Sequence, residues 1–90
     1  WRLFPAQELL ADQPGKTAPA KFIAAARTDD GSAAVLYLPE NEKLALSADA
    51  VAKFSKAEWF DPRTGARTPT NPAQKMSVPG AGDWALVLQR

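Results

Sequence analysis

The sequence contains no cysteine and no histidine among its 90 residues. Without cysteine, no disulfide can stabilise the fold and no thiolate can act as a nucleophile or metal ligand. Without histidine, the chain lacks the commonest general base and the commonest transition-metal ligand. Acid–base catalysis would depend on carboxylates, lysine, serine or the single tyrosine. We therefore expect no catalytic residues, no metal site and no cofactor in this chain.

Charge of one sign and long apolar runs are also missing. The 11 Lys and Arg residues nearly balance the 10 Asp and Glu residues, which leaves a net charge of +1. No block of basic residues could follow a phosphate backbone, so nucleic acid is not an expected partner. No apolar run approaches the roughly 18 residues that span a bilayer, so a membrane is not expected either.

Short segments with strand character alternate with turn signals along most of the chain. Asp30-Gly31 is typical of a two-residue hairpin turn, and eight prolines argue against long helices. About seven short strands at this spacing predict an all-β fold, a small antiparallel β-sandwich. The predicted strands are 21–28, 33–38, 43–47, 54–60, 66–70, 74–78 and 83–89.

The first part of the chain has a different character. Pro5 suits the first position of a short N-terminal helix or turn. We expect residues 1–19 to form a lead-in segment and loop, and residues 20–90 to form the β-sandwich domain. The chain starts at Trp1 and its only methionine is Met76, so we expect a single domain cut from a larger protein.

The segment Trp59-Phe60 ends an apolar run, and a turn over 61–65 follows at once. Pro62 favours the second position of such a turn, because its ring fixes φ. The carboxylate before it can cap the turn, and the closing glycine can adopt a positive φ. Strand alternation places Trp59 and Trp84 in the core and turns Phe60 to the opposite face.

The segment Ala33–Leu38 is apolar at every position, so both faces of this strand are apolar. An antiparallel sheet usually exposes one face to water, and a second apolar face indicates that something covers it. The candidate partner-facing residues are Phe60, Tyr37 and Val35. An alternative is that Trp59, Trp84 and Tyr37 form an exposed binding platform, although burial is the expectation for both tryptophans.

Two carboxylate patterns admit a chemical interpretation and a structural one. Asp29-Asp30-Gly31 resembles part of a calcium loop but lacks its spaced carboxylates and closing glutamate, so we interpret it as a hairpin turn. Glu58 and Asp61 could be a glycosidase pair, which requires two carboxylates across a sugar cleft. A solvated position for Glu58 and turn capping by Asp61 are the simpler interpretations.

Several segments together resemble the putative collagen-binding domain, a family of bacterial proteins in which this domain follows an apiosidase-like or endoglucanase-like glycoside hydrolase barrel. The order and spacing of the segments over nearly the whole chain carry the resemblance, and no single one does. The segments are Trp1–Pro5, Ala24–Gly31, Tyr37–Pro39, Trp59–Gly65 and Pro79 with Asp83–Leu88.

The resemblance implies a small β-sandwich without catalytic residues, since the carboxylates of such enzymes would lie in the preceding barrel. It also implies a secreted or periplasmic location. The function that we expect is a C-terminal accessory domain that packs against the catalytic barrel of a bacterial glycoside-hydrolase-like enzyme in the same polypeptide. The alternative is a module that binds carbohydrate or collagen.

Overall fold

Short antiparallel strands build this molecule in two layers. The computed structural model describes residues 3–11, 22–39 and 43–90. Trp1, the predicted loop around Pro14-Gly15 and the polar turn at 40–42 lie outside the described residues. The described strands are β1 (Leu3–Pro5), β2 (Ala24–Thr28), β3 (Ala33–Leu38), β4 (Lys43–Ala45), β5 (Lys56–Phe60), β6 (Arg67–Thr70), β7 (Lys75–Ser77) and β8 (Trp84–Gln89).

Six of these strands form one sheet in the order β1-β2-β3-β8-β5-β6, and β4 pairs with β7 in a second sheet. Every pair is antiparallel. The predicted all-β, antiparallel fold is therefore confirmed, with eight described strands in place of about seven. The helical elements in the described part are a 3₁₀ turn at Gln7–Leu9 and a short helix, α1, at Ala48–Lys53.

The hydrophobic core lies between one face of the six-stranded sheet and the second layer. Alternate residues of the central strands point to this inner face, as the strand period of two requires. They are Ala25, Ala34, Leu36, Leu38, Ala57, Trp59, Trp84, Leu86 and Leu88. The second layer closes the core with Leu9, Ile23, Leu44, Leu46, Ala50, Phe54 and Met76.

Both tryptophans predicted to be core residues are buried. Trp59 is 3% exposed and Trp84 is 8% exposed. Their rings meet edge to face, with centroids 6.5 Å apart and an interplanar angle of 81°. The indole N–H of Trp84 donates a hydrogen bond to the carbonyl oxygen of Gly80 at 3.0 Å. This bond satisfies the polar atom that burial of the ring would otherwise leave without a partner.

The hairpin predicted at Asp30-Gly31 joins β2 to β3, but its loop contains the four residues 29–32. The predicted two-residue loop is therefore wrong. The backbone N–H of Gly31 donates to the carbonyl of Thr28 at 3.0 Å, and Gly31 has a φ of +71°. The strands stop at Thr28 and Ala33, the ends predicted from the sequence, where the hydroxyl of Thr28 accepts a hydrogen bond from the N–H of Ala33 at 3.2 Å in place of a ladder partner.

The carboxylate of Asp30 accepts several hydrogen bonds within this loop. These bonds lower the pKa of Asp30 from 3.8 to about 2. Ser32 donates to Asp30 Oδ1 from its backbone N–H at 3.0 Å and from its hydroxyl at 2.8 Å. The hydroxyl of Thr28 donates to the same oxygen at 2.8 Å. These donors stabilise the charged carboxylate, and the bond from the Ser32 backbone contributes most to the shift.

The lowered pKa of Asp30 predicts a loss of stability in acid. Near pH 3 the unfolded chain binds more protons at this site than the folded one, so the contribution of Asp30 is present above about pH 4 and disappears as pH falls toward 2. Thermal unfolding followed from pH 7 to pH 2 should show this decline. Asp30→Asn keeps an accepting oxygen without the titration, so its melting temperature should fall less steeply; an unchanged slope would contradict the assignment.

The lead-in segment contributes directly to the fold. Leu3–Pro5 pairs with β2 as an edge strand, so the prediction that Pro5 starts a helix is wrong. The short helical turn comes two residues later, at Gln7–Leu9, and buries Leu9 in the core. Proline is compatible with an edge strand because the side without a neighbouring strand requires no N–H donor. The division at residues 19 and 20 stays a prediction.

Candidate functional site

The outer face of the six-stranded sheet, opposite the core, is the candidate site. No residue of this face belongs to the core cluster formed by the described residues. Its central side chains are apolar yet only half-buried, and Tyr37 is 41% exposed. The apolar residues of the four central strands on this face are Ala24, Ala26, Ala33, Val35, Tyr37, Ala85, Val87 and Phe60.

Three of these residues form a row across neighbouring strands, which we call the aromatic row: Tyr37, Ala85 and Phe60. Tyr37 on β3 lies opposite Ala85 on β8, and Ala85 lies opposite Phe60 on β5. Residues directly opposite in an antiparallel pair point to the same face. The two aromatic side chains therefore flank a methyl group. Their Cα atoms lie two strand spacings apart, about 9.5 Å.

A second row runs parallel to the aromatic row, one pleat away. Ala26, Val35 and Val87 are directly opposite one another on β2, β3 and β8, and Glu58 on β5 continues the row. The two valines are half-buried because their neighbours cover part of each side chain. Together the rows form an apolar centre with charged residues only at its margins. A surface of this composition is suited to a binding partner with little charge.

The side chain of Tyr37 is held in place at one end of its row. Its hydroxyl donates a hydrogen bond of 2.9 Å to Oδ2 of Asp83, the residue just before β8. Beyond Phe60 and Ala85, Arg63 joins the loops that follow β5 and precede β8: it donates to both carboxylate oxygens of Asp61 at 3.2 and 3.3 Å and to the carbonyl of Ala81 at 2.9 Å. The loops at this end of the sheet are therefore tied together beside the row.

The turn after β5 has the geometry predicted from the sequence. Asp61 Oδ1 accepts from the backbone N–H of Arg63 at 2.9 Å, and Gly65 has a φ of +79°. Hydrogen bonds from the Arg63 side chain, followed by that from its backbone, lower the pKa of Asp61. Asp61 is buried, so the guanidinium supplies both its charge partner and its donors.

A groove of about 560 Å³ lies at the β5–β6 side of the outer face. Phe60 and Val87 form part of its apolar lining, and Glu58 and Arg67 line it with an ion pair of 3.5 Å between Oε1 and Nη1. The guanidinium carbon of Arg67 lies 5.9 Å from the centroid of the Phe60 ring. The groove therefore adds hydrogen-bond donors and acceptors next to one end of the aromatic row.

Both edges of the large sheet are unsuited to pairing with a further strand. The N–H of Ala6 bonds to Ala25 and that of Asp61 bonds to Ala66, which sets the alternation of the hydrogen bonds in each edge pair. By that alternation, the backbone nitrogen and carbonyl groups of Pro5 on β1 and of Pro69 on β6 point away from the sheet, toward the side where a further strand would pair. Neither proline has an N–H to offer. Since proline on an edge strand disfavours sheet extension, the outer face is a better candidate for a binding surface than the sheet edges.

Comparison with protein-family models gives one match, over residues 4–89, to the family described as "Putative collagen-binding domain of a collagenase". The chain belongs to this family. The match confirms the resemblance inferred from the sequence, and it spans every described strand except the first residue of β1. Comparison with curated proteins and with solved structures gives no match.

In this collagen-binding family member, the three candidate partner-facing residues lie on one face. Val35 and Tyr37 lie on β3 and Phe60 lies two strands away on β5. The alternative platform of Trp59, Trp84 and Tyr37 is not formed, because both tryptophans are buried on the inner face. That these residues face a partner stays a prediction.

The carboxylates considered as a glycosidase pair have separate partners. Glu58 lies on the outer face and pairs with Arg67, whereas Asp61 caps its turn and pairs with Arg63. Among residues 3–11, 22–39 and 43–90, no group of three His, Cys, Asp or Glu side chains is placed to hold a metal ion. No helix in the same part of the chain is both long and apolar enough to cross a bilayer.

Sequence reasoning missed two residues of the site. No role was inferred for Ala85, although its position in the alternation places it with Val87 on the outer face. Asp83, which holds Tyr37, is 46 residues away in sequence. The alternation could have identified Ala85, whereas only the pairing of β3 with β8 brings Asp83 to Tyr37.

Proposed function

We propose that this domain is a non-catalytic binding module and that it binds collagen through the outer face of its six-stranded sheet. The observation that carries the proposal is the aromatic row, in which Tyr37 and Phe60 flank Ala85 on the face opposite the core. Aromatic side chains are enriched where proteins bind one another, because they offer a large contact area with few rotatable bonds.

Three further properties of this face support the proposal. Its centre is apolar and uncharged, as a partner rich in proline and glycine would require. Pro5 and Pro69 disfavour binding at the sheet edges. The family to which the chain belongs is described by its binding of collagen. Collagen is extracellular, so this function agrees with the secreted or periplasmic location expected from the resemblance.

A second candidate function is packing against a catalytic domain in the same polypeptide, such as a glycoside hydrolase barrel. The observation in its favour is the width of the apolar centre, which continues from the aromatic row to Ala26, Val35 and Val87. An area that extends over four strands could bury against a folded domain. In that case the outer face would be an internal interface of a bacterial enzyme of carbohydrate metabolism.

The collagen proposal predicts that the two aromatic residues of the outer face, exposed Tyr37 and half-buried Phe60, control affinity. Tyr37→Ala and Phe60→Ala should each weaken binding to immobilised triple-helical collagen by tenfold or more, since interface aromatics commonly contribute about 2 kcal/mol. Phe4→Ala is the matched control. Phe4 is 37% exposed, but its register with Arg27 and Ala34 places it on the core side of the sheet.

Binding isotherms for the unmodified chain and the three variants would test this, with soluble plant polysaccharides as competing ligands. Saturable collagen binding that the two outer-face variants lose and Phe4→Ala keeps is the expected result. Absence of saturable binding to collagen would contradict the proposal. Cooperative melting of this domain with an adjoining catalytic domain, lost in Val35→Asp, would then favour the second candidate.

A further inference from the structure

Resting on the proposed binding of collagen, we infer that the aromatic row contacts one strand of the triple helix, with Tyr37 and Phe60 meeting residues one turn apart. The bound strand would run across β3, β8 and β5, nearly perpendicular to them. The ligand class is a chain in the polyproline II conformation with proline at every third residue. The source is a collagen triple helix and not a single proline-rich chain.

The spacing of the row matches the repeat of this ligand. Tyr37 and Phe60 occupy strands separated by β8 alone, so their Cα atoms are two spacings apart. Two spacings measure about 9.5 Å. A polyproline II chain rises about 3.1 Å per residue with three residues per turn, so equivalent residues recur about every 9.3 Å. Residues i and i+3 of one strand can therefore each meet an aromatic side chain.

Binding in this way also requires a small residue between the two aromatic side chains, and Ala85 occupies that position. The side chain of Ala85 ends at its Cβ, so it projects less far from the sheet than the side chains of Tyr37 and Phe60 on either side. A strand that contacts both aromatic side chains passes above this point. Any larger side chain here would project into the space between the contacted prolines.

The ends of the row supply order and hydrogen bonding. The hydroxyl of Tyr37 is held by Asp83 at 2.9 Å. Beyond Phe60, Arg67 continues the row on β6 and places a guanidinium at its end. A polyproline II chain has no internal hydrogen bonds, so the carbonyl oxygens that face outward from the triple helix are available to such a donor.

The open centre of the row favours a triple helix over a single chain. A single chain in this conformation is usually bound in an aromatic-lined groove, which surrounds it on more than one side. Here Val35 and Ala85 do not line the groove, which lies at the β5–β6 side and includes Phe60 and Val87. A thick rod can rest on such a surface, whereas a thin chain would contact it on one side only.

The decisive experiment is Ala85→Leu, which keeps both aromatic side chains and fills the gap between them. Its affinity for the triple-helical peptide (Gly-Pro-Pro)10 should fall at least tenfold, with the melting temperature of the domain measured alongside. Ala52→Leu is the matched control, because it makes the same change at an exposed position of α1, away from the outer face, and it should keep the affinity. Tyr37→Phe keeps the ring and should retain most of the affinity.

The outcomes separate this inference from the proposed function. If Ala85→Leu binds (Gly-Pro-Pro)10 as tightly as the unmodified chain while Tyr37→Ala does not, the inference fails and the binding function stands. Should Ala85→Leu unfold, ring NMR signals of the unmodified chain decide the question. Tyr37 and Phe60 should shift together during titration with (Gly-Pro-Pro)10, and a shift of only one overturns the inference. Equally tight binding of a single-chain proline decamer would overturn the triple-helix assignment.

Discussion

Replacing Trp59 with alanine is expected to lower the free energy of unfolding by about 3–5 kcal/mol, as for other buried aromatic residues. The side chain is 3% exposed on the inner face of β5, and its ring meets that of Trp84 edge to face. The strand that carries Trp59 and its neighbour β8 are hydrogen-bonded on both sides, so they cannot easily collapse into the vacated space. A domain of this size has a total stability of about 5–10 kcal/mol, so the variant should lose a large part of it.

Urea denaturation followed by circular dichroism would measure this loss. Trp59→Phe keeps an aromatic ring in the site and should lose clearly less stability than the alanine variant. Tyr37→Ala removes an aromatic residue that is 41% exposed on the outer face, and it should lose little. A loss below about 1 kcal/mol for Trp59→Ala would contradict its assignment to the core.

Strand alternation was sufficient to predict which side of β5 and of β8 is buried. Trp59 and Phe60 are adjacent, and the structure places the first in the core and the second on the outer face. The same alternation placed Trp84 with Leu86 and Leu88 in the core, as observed. Such predictions succeed because the period of a strand is a local property, so neither strand order nor pairing is needed to apply it.

The aromatic row could not be predicted in this way, because it depends on which strands are neighbours. Tyr37 and Phe60 are brought to opposite sides of Ala85 only because β8, the last strand, inserts between β3 and β5. This order is set by contacts between residues distant in sequence. The prediction for Pro5 failed for a related reason: its fixed φ suits both a helix start and an edge strand, and only the pairing with β2 decides between them.

The second large effect concerns Gly82, just before β8. Gly82 has a φ of +96° and Gly65 has a φ of +79°, and side chains larger than hydrogen disfavour both conformations. The two sites differ in their surroundings. A Cβ at Gly65 would have no heavy atom within 4 Å, whereas a Cβ at Gly82 would overlap the guanidinium of Arg63. Gly65→Ala should therefore show the backbone cost alone, about 1–2 kcal/mol.

Gly82→Ala should be clearly more destabilising than Gly65→Ala, because it also displaces Arg63 from Asp61 and from the carbonyl of Ala81. Displacement would leave the buried carboxylate of Asp61 without its cation. Urea denaturation of both alanine variants, alone and combined with Arg63→Ala, separates the two causes. With Arg63 already shortened, the Gly82→Ala loss should fall to that of Gly65→Ala. If the Gly82→Ala loss is the same with and without Arg63, the close approach of this guanidinium is not what requires glycine at position 82.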